Sequence, residues 1–236
     1  IIGNKNAIDM QDLSDMEGIV KSAEILGIEL NAHSYFNERL EKLRQEQRLN
    51  IEARKKERVF NLETIDSSYL FLSSKASKLG DLFNLNQGTK IKGVQGFVLA
   101  SIVFRGFLEN FKIEGVSLAV HIQRILDDEN TQIKDKAQKI KELFMSQQAV
   151  AFAKEYLKEN LEFILKELGF DTILIARSAA CDVEDAESLA YPGMYDSEPG
   201  VYGFNGLVIA VLKVWSSVWN EKVFLYREYS NVKELK

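Results

Sequence analysis

Two prolines stand in 236 residues, and both fall inside one stretch, residues 173–201, ILIARSAACDVEDAESLAYPGMYDSEPGV. Proline removes a backbone donor and clashes with the preceding helical turn. A chain that withholds it until Pro192 leaves its backbone free to run through one helix after another. It then places its strongest break at a single point. The same stretch carries the single cysteine, Cys181, the carboxylates Asp182, Glu184 and Asp185, and an arginine, Arg177, directly behind a run of apolar residues.

Periodicity supports that division. Residues 9–26 read as a helix ended by Gly27. Residues 34–58 contain neither Gly nor Pro and alternate in charge sign, with Glu38 before Lys42 and Glu52 before Lys56 in the i,i+4 order that favours a helix. The apolar stripe of that helix is thin (Phe36, Leu40, Leu43), so it is either a solvated connector or a surface for a partner. After Tyr69 the composition turns apolar. A short strand is expected at 96–100, then helices on Ile102, Phe104 and Leu108, on Leu118, Ile122 and Ile125, and on Ile133, Ala137, Ile140 and Phe144. One further stripe runs from Val150 through Leu157 to Leu168, with Gly169 placed to end it. Residues 171–179, DTILIARSA, read as the best strand, and their apolar continuity predicts a buried, central position. Two more helices are expected, one through Phe204 to Val218 and one over 220–230.

Composition narrows the function classes. Apolar residues make up 46%, enough for a sizeable core, and the net charge of -5 argues against a nucleic-acid surface. No apolar run reaches the ~18 residues that span a bilayer. One cysteine excludes an internal disulfide and fits a reducing, cytoplasmic setting. With only His33 and His121 beside it, Cys181 offers no zinc site and reads as a small packed side chain, while His121 reads as a satisfied or exposed helix residue.

Arg177 is the pivotal side chain. A guanidinium cannot discharge, so behind an interior strand it must be paired or exposed at the strand end. Strand ends are where ligands usually sit in α/β sheets, and the guanidinium fork suits phosphate oxygens. The competing role is an internal ion pair with Glu184 or Asp185. Those acids, with Asp182, can also order a loop or, with phosphate present, approach Mg²⁺. Lys75, in the small-residue turn SSKAS ahead of a helix, has the placement that suits phosphate but lacks the glycines of a P-loop.

The pieces KASKLGDL, GVQGFVLAS, ILIARSAACDVEDAESLAYPGMYDS and AVLKVWSSVWNEKVFLYRE occur in order along residues 69–229. Together they resemble the N-terminal nucleotide-binding domain of the phosphoenolpyruvate synthase / pyruvate phosphate dikinase family, a group that includes glucan water dikinases and rifampicin phosphotransferases. The family pattern reads roughly GGKGxxLGEL, PxGFVxTxxAY, VRSSxxxEDxxxxSxAGxYDTxxNV and WASLxxxRAxxYR. The resemblance implies an α/β (α+β), helix-rich, ATP-grasp-like subdomain with a small central sheet over 65–236, behind a helical extension at 1–64. It implies that Lys75 and Arg177 contact ATP phosphates, that Ser178 belongs to the same cofactor-binding set, that Glu184 and Asp185 lie beside the nucleotide, and that Gly193 serves the following loop.

The resemblance also implies an enzyme cycle in which ATP phosphorylates a carrier histidine on another domain, which passes the phosphate to an acceptor. The threonine-glycine-glycine signature of that histidine is absent here, as are the second half of the ATP clamp and its metal-binding acids. The chain therefore reads as a fragment of a larger enzyme, without catalytic residues of its own, with ATP and Mg²⁺ as cofactors and the Mg²⁺ ligands elsewhere. No nucleic-acid or membrane partner is expected, and an oligomer is possible. Ser73 and Ser74 replace two family glycines and Ala179 replaces a serine. These departures open the alternative of a non-catalytic or regulatory module that kept the fold.

Overall fold

In a computed structural model the described residues are 33–69, 72–85, 95–179 and 194–230. The chain divides into two units, Ile1–Lys56 and Glu57–Lys236. Helices dominate, joined by short antiparallel strand pairs, which makes the fold α/β in the α+β sense.

In the first unit, helix α1 spans His33–Arg54. Its charges pair along its own surface, Arg44 with Glu41 at 2.7 Å and Lys42 with Glu46 at 4.0 Å. Glu52 pairs with Lys55 rather than with Lys56, and both lysines lie beyond the helix end at Arg54. Leu43 is buried while Leu49 is exposed, as a thin stripe requires.

The second unit opens with a strand that periodicity did not reveal. β1 (Val59–Asn61) pairs antiparallel with β2 (Phe97–Leu99), setting Phe60 opposite Val98. Asn61 then caps a 3₁₀ turn, Leu62–Thr64, its Oδ1 accepting from the Glu63 amide at 2.9 Å. Helix α2 (Ser74–Leu85) lies against this turn so closely that a Cβ on Gly80 would stand 2.3 Å from the Ile65 carbonyl oxygen.

A helical layer follows. α3 (Ser101–Asn110) leads into a two-residue hairpin, β3 (Lys112–Ile113) and β4 (Val116–Ser117). Glu114 at φ 52° and Gly115 at φ 79° supply the left-handed pair that such a hairpin needs. α4 (Leu118–Asp127) and α5 (Ile133–Met145) come next. The single stripe expected over 150–168 is two helices, α6 (Gln147–Tyr156) and α7 (Lys158–Leu168), which break at the buried Leu157. The stripe stays in phase because that break occupies a single residue. Gly169, at φ 93°, ends α7 as expected.

α8 (Gly203–Ser216) is the spine of the unit, packed against α5, α6, α7 and the last strand pair, with Leu207, Val208, Ala210, Leu212 and Val214 buried. Beside it an aromatic cluster forms around Phe107, whose ring lies 5.3–6.1 Å from those of Phe111, Phe144, Phe152, Tyr156 and Trp215. Trp215 is thus core, as its stripe predicted. A 3₁₀ turn, Ser217–Trp219, leads to α9 (Glu221–Ser230).

The strand expected to be buried and central differs. β5 (Leu174–Arg177) pairs antiparallel with β6 (Ser197–Val201) in a two-stranded ribbon. Leu174 and Ala176 face the core, but Ile173 and Ile175 are 71% and 64% exposed. A continuous apolar run does not by itself distinguish a strand covered on both faces from one covered on a single face. Pro199 lies in β6 rather than in a loop. Two residues, Pro199 and Gly200, oppose Ile175 alone, and Gly200 at φ 70° supplies the left-handed turn of this bulge, where a missing donor does no harm.

Candidate functional site

Ser73 precedes α2, fully buried, with φ 122°. Its hydroxyl accepts from the Ala76 amide at 3.2 Å, and its carbonyl accepts from the Ser77 amide at 3.1 Å and the Ser77 hydroxyl at 2.8 Å. This is an N-cap held in a backbone region that favours glycine. It stands where the resembling family carries the first of its glycines.

Lys75, half-buried in the first turn of α2, extends from this cap to the end of β5. Its Nζ donates to the Ser178 carbonyl at 3.3 Å, a contact between residues 103 apart in sequence. Arg177, the neighbour of Ser178, is exposed, and among the described residues its guanidinium has no hydrogen bond or ion pair. The Lys75 ammonium is therefore lodged against the carbonyl that follows the residue bearing the exposed Arg177 guanidinium. An arrangement of this kind attracts an anion with several oxygens, because both positive groups can be engaged together.

Of the residues singled out in the sequence, Lys75 and Ser178 are in contact, and Arg177 precedes Ser178 in the chain. Glu184, Asp185 and Gly193 lie outside the described residues, as do Cys181, Asp182 and Pro192. Among the described residues no group of three His, Cys, Asp or Glu side chains could hold a metal ion. Nor is any helix among them long and apolar enough to cross a membrane. His121 is satisfied on α4, its Nε2 lying 3.2 Å from the Ile113 carbonyl.

One anchor escaped sequence reasoning. Where the chain re-enters the described fold, Met194 and Tyr195 are buried against Val223. The Asp196 amide donates to the buried Ser217 hydroxyl at 3.1 Å, and the Asp196 carboxylate accepts from Asn220 Nδ2 at 2.9 Å and Lys222 Nζ at 3.2 Å. Lys213 of α8 adds an ion pair with Glu198 of β6 at 2.7 Å. These bonds fix the return of the segment to the same ribbon that carries Arg177. The signal was the polar cluster Ser216, Ser217, Asn220, Glu221, Lys222 at the end of an otherwise apolar helix.

The family model described as pyruvate phosphate dikinase, AMP/ATP-binding domain, matches residues 71–236. A protein of Methanothermobacter thermautotrophicus named "probable phosphoenolpyruvate synthase" is 18% identical over 157 residues, which is 66% of this chain and 22% of that protein. One of the same name from Pyrococcus abyssi is 24% identical over 106 residues, covering 45% of this chain and 13% of the relative. The chain thus spans less than a quarter of the length of these curated relatives.

Proposed function

The chain belongs to the pyruvate phosphate dikinase AMP/ATP-binding family, and from that premise we propose that it is the ATP-binding portion of a phosphotransferase. Lys75 and Arg177 take phosphate oxygens of ATP, the ammonium as a point charge and the guanidinium as a fork. Ser178 holds Lys75 at the strand end through its carbonyl. Glu184 and Asp185 stand beside the nucleotide, and Gly193 serves the loop that follows. The observation that carries this reading is the 3.3 Å contact from Lys75 Nζ to Ser178, which joins two distant motif segments at one point.

Phosphoryl transfer requires charge neutralisation and alignment on both sides of the transferred group. This chain supplies one side. A second clamp half, with the Mg²⁺ ligands, and a domain with a carrier histidine complete the cycle, in which phosphate moves from ATP to histidine and then to an acceptor. Mg²⁺ supplies further charge neutralisation at the phosphates when bound. In this reading the Mg²⁺ ligands lie elsewhere in a larger cytoplasmic enzyme, and the part played by this chain is binding and orientation of the nucleotide.

A second reading, a regulatory module that binds nucleotide without transfer, is favoured by one observation. The Ser73 hydroxyl already occupies the Ala76 amide at the start of α2, a donor that glycine in the same place leaves open.

Calorimetry with ATP tests the proposal. Charge-assisted hydrogen bonds contribute about 1.5–3 kcal/mol each, so Arg177→Ala lowers ATP affinity by at least about tenfold while circular dichroism is unchanged. A wild-type chain without measurable affinity, or a variant that binds as wild type does, rejects it.

A further inference from the structure

The bulge divides the ribbon of β5 and β6 into two ends. Leu174 pairs with Val201 on one side of it, while Ala176 pairs with Glu198 and Arg177 with Ser197 on the other. A bulge disrupts the ladder locally, and a two-stranded ribbon has little stability of its own. The pairing at Leu174 therefore does not by itself fix the end that carries Arg177. The hold on β6 does. Glu198, opposite Ala176, is paired with Lys213 of α8 at 2.7 Å. Asp196 stands directly before Ser197, the residue opposite Arg177. Its amide donates to the Ser217 hydroxyl at 3.1 Å, and its carboxylate accepts from Asn220 Nδ2 at 2.9 Å and Lys222 Nζ at 3.2 Å.

These bonds have different consequences. Met194 and Tyr195 are 2% and 5% exposed beside Val223, so apolar burial attaches the segment without help from the carboxylate. The Ser217 hydroxyl is itself fixed, because it donates to the Val214 carbonyl at 2.7 Å, and it pins the backbone at one point. The two carboxylate oxygens reach separate donors at the start of α9 and so add orientation to attachment. A binding side chain is placed only as well as the groups that support it. We propose that Asp196 is a positioning residue for Arg177. Its carboxylate sets the backbone of Ser197, and through that strand pair the point at which the guanidinium leaves the end of β5. The use of Arg177 toward phosphate rests on the ATP reading above, whereas the positioning itself does not.

Amide hydrogen exchange and ATP calorimetry on the 236-residue chain test it together. Asp196→Ala, with the circular dichroism spectrum unchanged, speeds exchange over residues 176–178 by at least about tenfold and leaves α8 at the wild-type rate. It lowers ATP affinity by about tenfold. In an Arg177→Ala background it lowers affinity no further, because a residue that acts through Arg177 has no effect once Arg177 is gone. Asp196→Asn keeps an oxygen for Asn220 Nδ2 and recovers most of both losses. Should Asp196→Ala fail to fold, Asn220→Ala, which removes a single donor, gives the same pattern at smaller size. Exchange over 176–178 that neither variant changes overturns the proposal. An equal loss of affinity in both backgrounds also overturns it, since a general loosening of the fold produces that result. A wild-type chain without ATP affinity rejects the nucleotide reading, and the exchange result then decides the positioning alone.

Discussion

The helical layer around Phe107 and the ribbon of β5 and β6 are built from similarly apolar sequence and reach opposite ends. In the layer the apolar stripes of the helices pack on one another, and aromatic rings close the space between α3, α5, α6 and α8. In the ribbon one face rests on the core, while the other leaves two isoleucines and an arginine in solvent. The layer supplies stability and presents little chemistry. The ribbon contributes less to the core, yet the residue that follows β5, Ser178, offers the carbonyl that Lys75 reaches. What separates them is whether a second layer covers the outward face, and hydrophobic content alone does not report that.

The largest expected effect breaks the layer. Phe107 is fully buried among five rings, so Phe107→Ala costs about 3–5 kcal/mol by cavity formation, read as a lowered urea midpoint. ATP affinity of the fraction that stays folded is unchanged, because Phe107 is not among the residues gathered at the strand end.

Gly80→Ala acts where α2 meets the 62–65 turn. Its new methyl would stand 2.3 Å from the Ile65 carbonyl oxygen, so α2 must shift, at about 1–3 kcal/mol. Because Lys75 rides on the same helix, this variant loses ATP affinity as well as stability. That pairing of losses sets the site apart from the layer.

Ser73→Gly sharpens the comparison from the other direction. It removes a left-handed-region strain of about 1–2 kcal/mol, against a glycine entropy cost of about 0.5–1 kcal/mol and a few tenths for the lost cap. Thermal unfolding is expected to show a gain between zero and about 1 kcal/mol.

The smallest effect lies in the connection between α4 and α5. The Thr131 hydroxyl and the Asn130 amide both donate to Asp128 and hold its carboxyl below the usual carboxylate value. A depressed folded-state pKa contributes stability above the unfolded value and loses it as the pH falls. A small component of stability therefore disappears below about pH 4, and Asp128→Asn removes it. Matching pH profiles for wild type and variant contradict this assignment.

Much of this was legible in the residues. The stripes of α3, α4, α5 and α8 and the helix end at Gly169 follow from spacing, and the short strand at 97–99 from its glycine-flanked, β-branched composition. The break at Leu157 did not show because the apolar register continues across it. β1 did not show because Val59–Asn61 is short and its partner lies far along the chain. The meeting of Lys75 with Ser178 is invisible to any local pattern, since it spans 103 residues, and only the order of the family-like segments pointed to it. The anchor through Asp196, Ser217 and Asn220 escaped because hydrogen bonds between distant polar residues leave no period.

The most direct test of the central claim is a double-mutant cycle on ATP affinity with Lys75→Ala, Arg177→Ala and the combination. If both cations act on one polyanion, each single change weakens binding and the double change falls short of their sum, with a coupling of about 0.5–3 kcal/mol. A double variant that binds ATP as tightly as the wild-type chain contradicts the account.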